Sequence, residues 1–348
     1  MQDLNQVLKT RLQQKLNAKV LVNEPLHKYS SIKLGGPADL FVSVTVLEDI
    51  ATCINFCREN NLDYYILGGG TNTLISDSGF RGLVIRNNVV GLEVKGQTDM
   101  SFDDTMRGRK EESNWQSDFL SLEGIEPLIS DKGVRVELLA GTPLAYSISS
   151  CIESDATGLE VFAGIPGTIG GAVWNNIHGA NLLFGQFVES VSVLTSEGAI
   201  KSMHRSELEF SYNHSIFHAT KDIILSTTLV LFSGGKDHAR QVANEWISRK
   251  IIQPKNSLGS IFSNLTEEQK ASAGLENLST GFVIDKVLNL KGYSIGGAQI
   301  APNHANFIIT HSGCTAKDYL TLIEYIKTTA KEKLNIDLQE EIVKLGEF

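Results

Sequence analysis

Apolar and polar residues follow two different periods along this chain of 348 residues. Apolar positions recur at helical spacing in residues 1–20, 47–61, 238–252 and 316–334. Short apolar runs bounded by glycine, asparagine or aspartate predict strands at residues 37–44, 62–67, 80–87, 134–139 and 223–232. Helices and strands that follow one another in this way indicate an α/β or α+β protein.

Two polar stretches interrupt this pattern. Residues 96–131 are polar, mixed in charge and without a sustained period, which predicts an inserted loop. A lid or a partner contact is the alternative for this segment. The second stretch, "SGGKD", directly follows the apolar run that ends at Phe232. It predicts a boundary between two domains, residues 1–232 and 233–348.

Composition excludes several classes of protein. Hydrophobic residues make up 42% and charged residues 20%, and the formal net charge is -9, so we expect a soluble chain that binds no nucleic acid. The longest apolar run is too short to span a bilayer, and the first residues lack the apolar core of a signal peptide. Cysteines at 53, 57, 151 and 314 lack the spacing of a metal site. We therefore expect no metal, no membrane partner, and a reducing, cytoplasmic location.

Two glycine clusters are the main candidates for chemistry, "GGGTNT" after a strand and "GIPGTIGGA" later in the chain. Glycine lets a ligand approach the main chain, and successive free N–H groups form a site for anions. Neither cluster is a P-loop or a Rossmann motif, and turn glycines are the alternative for each alone. Together they predict one diphosphate ligand between two subdomains. The candidate contacts are Gly68, Gly69, Gly70, Thr71, Asn72, Thr73, Gly164, Ile165, Pro166, Gly167, Thr168, Gly170, Gly171 and Ala172.

The order of several motifs resembles one enzyme family. The chain reads "YSSIKLGGPADL", "ILGGGTNTLISDSGFRGLVI", "GLEVFAGIPGTIGGAVWNN", "FSYNHSIF", "GSIF", "GFVIDKVLNLKGYSIGGAQIAPNHANFIIT" and "LQEEIVKLG". In this order the motifs resemble the UDP-N-acetylenolpyruvoylglucosamine reductase family, in its shorter subtype. The resemblance runs from about Pro25 to Gly346 and leaves the 96–131 insertion outside.

The resemblance implies a fold, cofactors and a substrate. It implies an α+β chain with an FAD-binding fold of the vanillyl-alcohol-oxidase (PCMH) type, formed by two subdomains in residues 1–232. Residues 233–348 would form an α+β substrate-binding domain. FAD would bind noncovalently with its pyrophosphate and ribityl chain at the glycine clusters, and NADPH would be the reductant. The substrate would be a nucleotide sugar of peptidoglycan synthesis, and we expect a monomer.

The family's reaction reduces an enol ether attached to a carboxylate, so it needs a proton donor, a group that handles negative charge, and exclusion of water. The resemblance assigns the proton donor to Ser260 in "NSLGSIFSN" and the charge-handling carboxyl group to Glu341 in "LQEEIVKLG". A serine in a turn and a solvated glutamate are the alternatives. Tyr212, Asn264 and Lys286 are the expected substrate contacts.

At three positions the chain departs from the family's pattern. Asn213, in "FSYNHSIF", stands where the family has a catalytic arginine, Ser263 replaces a lysine, and His178 is added in "NNIHGANLLFG". Asparagine keeps a hydrogen bond but loses the charge and the bidentate fork, and losing one such stabiliser costs about 2.7–4 kcal/mol. We therefore expect a slower reductase in which Asn213→Arg raises turnover. A flavoenzyme for another substrate and a flavin-binding paralogue without this activity are the alternatives.

Overall fold

The structure is a computed structural model that describes residues 2–98, 127–180 and 182–348. Most of the predicted insertion at 96–131 thus lies outside the described residues. The described helices are α1 (Gln2–Gln13), α2 (Leu47–Glu59), α3 (Leu144–Glu153), α4 (Ile169–Trp174), α5 (Lys236–Lys250), α6 (Glu267–Ser272), α7 (Thr280–Phe282) and α8 (Ala316–Leu334). None of these helices is long and apolar enough to cross a membrane.

Strands account for most of the remaining regular structure among the described residues. They are β1 (Val20–Pro25), β2 (Pro37–Val44), β3 (Tyr64–Leu67), β4 (Thr73–Ile75), β5 (Phe80–Asn87), β6 (Leu92–Thr98), β7 (Gly133–Leu139), β8 (Ala156–Thr157), β9 (His178–Gly179), β10 (Leu182–Leu183), β11 (Val188–Leu194), β12 (Ile200–His204), β13 (Ile223–Ser233), β14 (Ser294–Ile295), β15 (Ala298–Ile300), β16 (Ile308–Thr310) and β17 (Val343–Leu345). The mixture of helices and mainly antiparallel sheets confirms the α+β class.

The first sheet has the strand order β1-β2-β5-β3, with β5 parallel to both of its neighbours. Helices α1 and α2 cover it with apolar residues one helical turn apart, such as Leu8 and Leu12. Cys53 and Cys57 of α2 also point into this core and are fully buried. Acidic residues in the first turn of α2 and Arg58 in its last turn complement the helix dipole.

The second sheet is antiparallel and has the order β12-β11-β13-β7-β6. Strand β13 lies at its centre and is buried on both faces, which explains the continuous apolar run of the sequence. Helix α5 packs Ala239, Val242, Ala243 and Trp246 into the same core. The division at residue 232 stays a prediction, because α5 adds to the core that precedes it.

The last part of the chain packs α8 against the small sheet β14-β15-β16. Helix α8 has the bounds that its apolar spacing predicts. Thr315 caps its first turn and Asn335 ends it with a left-handed backbone conformation. Strand β17 then pairs in parallel with β4, so that Val343 lies opposite Thr73. This pairing brings the end of the chain back to the first glycine cluster.

Candidate active site

The two glycine clusters line one cavity of about 320 Å³, a size typical of ligand pockets. From the first cluster the cavity is lined by Gly68–Thr73, and from the second by Pro166–Thr168 and Gly170–Ala172. Gly164 and Ile165 do not line it, because Gly164 instead faces helix α5. Most of the predicted cofactor contacts therefore surround a single space.

Close packing between the two loops also requires glycine at several of these positions. A Cβ atom on Gly69 would lie 3.0 Å from the Cα of Gly167, and one on Gly68 would lie 2.8 Å from the Thr168 Oγ1. Gly70 has a φ of +63°, and a Cβ there would overlap the carbonyl oxygen of Tyr29. The two loops can therefore approach each other only because these residues lack side chains.

Polar atoms in this cavity fit a phosphate-bearing cofactor. The N–H groups of Gly69, Gly70 and Thr71 make no hydrogen bond to another described residue. The Thr220 hydroxyl also lines the cavity, and its oxygen is buried without a partner among the described residues. Free main-chain donors beside an unpaired hydroxyl form the concave donor set that binds phosphate oxygens. The donor set therefore fits the pyrophosphate of FAD.

Asn72 connects this cavity to the end of the chain. Its side-chain amide donates to the Glu341 carbonyl oxygen at 3.0 Å, and its own carbonyl accepts from the Val343 N–H at 2.9 Å. Thr73 follows as a buried residue whose hydroxyl lies 3.2 Å from that of Tyr65. Glu341 thus lies directly beside the first glycine loop.

Ser260 is partly buried in a loop that runs next to Glu341. The N–H of Glu341 donates to the carbonyl of Ile261 at 2.9 Å. Asn306 fixes the same loop, since its main-chain oxygen accepts from the Ile261 N–H and its side-chain oxygen accepts from the Phe262 N–H, at 2.8 and 3.0 Å. The segment that carries Ser260 is therefore hydrogen-bonded to the segment that carries Glu341.

The Glu341 carboxyl group lies among neutral hydrogen-bond donors. The side-chain amide of Asn213 donates to Oε1, and the Tyr212 hydroxyl donates to the same oxygen over 3.4 Å. The nearby Ser263 side chain also favours the ionised form of this carboxyl group. Burial raises the pKa of Glu341 to about 7, although the three polar side chains favour its ionised form. At neutral pH this residue therefore exchanges a proton readily.

Asn213 lies in a tight turn between Ser211 and His214, with a φ of +52°. Its side-chain oxygen is 3.3 Å from Nδ1 of His178. The His178 ring stacks on Tyr212, with 5.1 Å between ring centroids. Burial lowers the pKa of His178 to about 4, so its ring is neutral at physiological pH.

Comparisons with known proteins identify the family of this chain. The model of the UDP-N-acetylenolpyruvoylglucosamine reductase C-terminal domain matches residues 253–345. A UDP-N-acetylenolpyruvoylglucosamine reductase of Clostridium botulinum (strain Okra / Type B1) is 34% identical over 95% of this chain and 94% of its own length. That of Clostridium novyi (strain NT) is 31% identical over 97% of this chain and 96% of its own length. The chain belongs to the UDP-N-acetylenolpyruvoylglucosamine reductase family.

A solved structure extends this finding to the fold. The UDP-N-acetylenolpyruvylglucosamine reductase of Thermus caldophilus covers 95% of this chain and 99% of its own length, at 25% identity and a TM-score of 0.67. The family and the fold expected from the motifs are thus confirmed.

Lys250, the last residue of α5, is a cation that was not among the predicted site residues. Its ammonium nitrogen lies 5.6 Å from the centroid of the Trp246 ring, and its stem packs on Gly164, where a Cβ would be 3.1 Å from the lysine Cδ. Burial lowers the pKa of Lys250 to about 8. Its charge also acts on His178, whose pKa it helps to lower. A positive charge therefore lies near the turn that carries Asn213.

The remaining predicted substrate contacts of the reductase differ in position. Tyr212 and Asn264 lie together beside Glu341, because the Tyr212 hydroxyl also bonds the backbone of Asn264. Lys286 is 64% exposed and pairs with Asp285 at 3.5 Å. No contact among the described residues joins Lys286 to Glu341, and its role stays a prediction.

Sequence reasoning did not assign site roles to His178, Ser263, Thr220 or Asn306. His178 and Ser263 had been identified as departures from the family's pattern, and that departure was the only indication that they belong to the site. Asn306 belongs to a recognised motif, but its contacts with Ile261 and Phe262 cross more than 40 residues of sequence. Contacts between residues so far apart produce no periodic pattern in a single sequence, so they could not be predicted from it.

Proposed function

We propose that this chain reduces UDP-N-acetylglucosamine enolpyruvate to UDP-N-acetylmuramate in peptidoglycan synthesis, with FAD and NADPH as cofactors. When bound, FAD supplies the substrate alkene with a hydride that originates from NADPH. The observation that carries the proposal is the hydrogen bond from Asn72 to Glu341. It joins the cavity of the glycine loops to the carboxyl group that the reaction needs.

The glycine loops hold the cofactor in this proposal. The free N–H groups of Gly69, Gly70 and Thr71 bind phosphate oxygens of FAD. Thr168 and Thr220 add hydroxyl groups on the wall of the same cavity. These residues bind and orient the flavin, and they take no part in proton transfer.

Glu341 and Ser260 act on the substrate. With a pKa of about 7, Glu341 is partly protonated at neutral pH and can donate to the substrate carboxylate, which an ionised Glu341 would repel. The Ser260 hydroxyl holds the proton that the reduced carbon requires. A hydroxyl group is a weak acid, so this transfer depends on contact with a strongly basic carbon in a site that excludes water.

Lys250 is our candidate for the positive charge that Asn213 cannot provide. The substrate carries a diphosphate and a carboxylate, and its binding gains from a cation that has no stronger partner. Lys250 meets that condition among the described residues, where its ammonium group faces the Trp246 ring and burial lowers its pKa. We assign Lys250 to binding of the substrate's anionic groups.

Purified protein tests the function directly. We expect a flavin absorption spectrum, and oxidation of NADPH that accelerates when the enolpyruvyl nucleotide is added. Ser260→Ala should abolish the increase in NADPH oxidation that the nucleotide causes. Ser272→Ala, at an exposed serine of α6, should leave that increase unchanged. A yellow protein that oxidises NADPH without any response to this nucleotide would favour the second candidate function, a flavoenzyme for another substrate. The residues at positions 178, 213 and 263, which depart from the expected motifs, suggest this second candidate.

Location and assembly belong to the same proposal. We propose a cytoplasmic monomer without a nucleic-acid partner, and the net charge of -9 agrees with the last point. Light scattering of the flavin-loaded protein checks the monomer. A mass of twice 38.0 kDa would contradict it.

A further inference from the structure

Two hydrogen bonds connect His178 through Asn213 to the Glu341 carboxyl group. Nδ1 of His178 lies 3.3 Å from the side-chain oxygen of Asn213, and the Asn213 amide nitrogen donates to the Glu341 carboxyl group. We propose that His178 is a positioning residue that orients the Asn213 amide, and that Asn213 in turn orients the Glu341 carboxyl group. This inference rests on the proposed function, because it concerns the same site.

The backbone fixes where the Asn213 side chain begins. Two main-chain hydrogen bonds of 3.1 Å close the turn between Ser211 and His214. Asn213 occupies the left-handed region at a φ of +52°, which asparagine tolerates better than most residues. The side chain is therefore presented from a rigid turn, and only the rotation of its amide remains to be set.

The two ends of that amide have different partners. An ionised carboxylate only accepts hydrogen bonds, so the Asn213 nitrogen faces Glu341. The Asn213 oxygen then faces His178 and needs a donor, which the protonated Nδ1 of a neutral imidazole provides. If His178 lacked this N–H, the amide could turn its oxygen towards Glu341. Two acceptors would then face each other.

The His178 ring has a fixed position. It stacks on Tyr212, and its strand β9 pairs with β10. Burial keeps the ring neutral, so it donates without bringing a second charge to the site. The resulting chain of contacts runs from His178 through Asn213 to Glu341.

An arginine at position 213 would change the protonation of Glu341. A guanidinium group beside Glu341 would favour the ionised carboxylate and lower its pKa. Neutral donors stabilise the ionised form less, so desolvation dominates and the pKa rises to about 7. His178 and Asn213 therefore orient the Glu341 carboxyl group without lowering its pKa below the neutral range.

Other titratable groups near Glu341 and His178 have partners of their own or act on them from a distance. Tyr212 donates to it, and burial together with the Glu341 charge raises the pKa of that phenol. The neighbouring Glu340 is paired with Lys327 and Lys344. Lys250 acts on His178. Hence the variants below change the His178–Asn213 pair and leave these groups in place.

The test measures the pKa of Glu341 directly, independently of turnover. The ¹³C chemical shift of its carboxyl group is followed with pH in the flavin-loaded protein, and its resonance is assigned by its loss in Glu341→Gln. In His178→Phe we expect this pKa to rise by about 0.5–1 unit, since one oriented hydrogen bond to the ionised form is worth roughly 1 kcal/mol. His178→Gln, which retains an N–H donor, should restore the original value. Asn213→Ala should give a rise at least as large.

Each outcome has a defined meaning. A rise in Asn213→Ala without any rise in His178→Phe would overturn the role of His178. An unchanged pKa in both variants would overturn the whole chain of contacts. If the shifts occur as expected but no variant and no parent protein reduces the enolpyruvyl nucleotide, the positioning unit stands and the proposed function fails.

Discussion

The Asn72 side-chain amide donates to the main-chain carbonyl of Glu341 at 3.0 Å, although 269 positions separate the two residues in sequence. The parallel pairing of β17 with β4 supports this bond from the other side. The candidate catalytic carboxyl group therefore has its position set by the same loop that we propose holds the flavin. In the proposed function, one short segment of chain would therefore align the cofactor with the carboxyl group.

Asn72→Asp tests this alignment. The aspartate has the same shape but no N–H, so it cannot donate to the Glu341 carbonyl and two acceptors face each other. We expect stability to fall by about 1–3 kcal/mol and kcat to fall as Glu341 loses its support. Denaturant unfolding and steady-state kinetics measure the two effects.

Asn88→Asp is the matched control for this change. The Asn88 amide donates to Ser43 at 2.8 Å in the first sheet and does not line the cavity. It should lower stability without a specific loss of kcat. Equal losses of kcat in both variants would contradict the proposed alignment.

Gly69→Ala tests the contact between the two glycine loops. The new methyl group would lie 3.0 Å from the Cα of Gly167, so the loops must separate by a few tenths of an ångström and the phosphate donors lose their geometry. We expect a lower flavin content per chain in the purified protein and weaker rebinding of FAD, measured by absorbance and fluorescence.

The control for the glycine loops is Gly274→Ala. Gly274 has a φ of +64° with open space around its Cα, so alanine there costs about 1–2 kcal/mol of backbone strain and touches no cofactor. Flavin content should stay at the parent level. A Gly69→Ala protein that carries a full complement of flavin would show that the loops are not the cofactor site.

Local features of the chain could be predicted from sequence, and contacts between distant segments could not. Helix α8 matches its predicted bounds because its cap residues, Thr315 and Asn335, are encoded next to it. The glycine clusters could be recognised because glycine has a specific conformational role. Gly164 was included with them, yet it faces Lys250, since a cluster of glycines does not reveal which members face a ligand.

The site network was beyond prediction for a physical reason. The contacts of Glu341 with Asn213 and Tyr212 span 128 and 129 positions, and they depend on the packing of whole sheets. The resemblance identified Glu341 and marked Asn213 as unusual. Only the fold shows that His178 meets Asn213 and that Ser263 meets Glu341.

Glu341→Gln should remove a pH dependence. The parent pKa of about 7 means that the protonated, donating form predominates below pH 7 and is lost as pH rises through it. We therefore expect kcat/KM of the parent to fall above pH 7, and that of Glu341→Gln to be flat from pH 6 to 8.5, because the glutamine amide donates a hydrogen bond at every pH. Glu340→Gln should retain the parent's profile, because Glu340 is held by lysines.

Thermal unfolding checks the same pKa without any assay of activity. The folded-state pKa of Glu341 lies above its ordinary value of 4.5, so the parent loses stability as pH rises from 4.5 to about 7. The difference in Tm between Glu341→Gln and the parent should grow across that interval and remain constant above it. A constant difference from pH 4 to 8 would contradict the raised pKa.

Lys250→Met should stabilise the free protein and weaken substrate binding. The pKa of Lys250 is about 8, below its ordinary value of 10.5, so burial of the cation costs stability below pH 8 and the cost disappears as pH rises towards 10.5. We expect a higher Tm than the parent at pH 7, no difference above pH 10.5, and a KM for the nucleotide sugar that rises at least tenfold at pH 7.

Lys236→Met is the control on the same helix. Lys236 pairs with Glu153 at the surface at 2.8 Å, and exposed pairs contribute little. Its Tm and KM should both stay near the parent's. If Lys250→Met keeps the parent's KM, the substrate's anionic groups bind elsewhere.

Arginine at position 213 gives the sharpest test of how the site is assembled. The sequence predicts that Asn213→Arg raises turnover, but the structure adds a condition, because the His178 ring lies 3.3 Å from the side chain that arginine must replace. We expect the single substitution to lower kcat/KM, since the longer side chain displaces His178 or holds Glu341 ionised. His178→Ala alone should also lower it, because Asn213 loses its orientation. In the double variant the arginine has room, and kcat/KM should exceed that of either single variant. Effects that simply add in this double-mutant cycle would show that the two positions act independently.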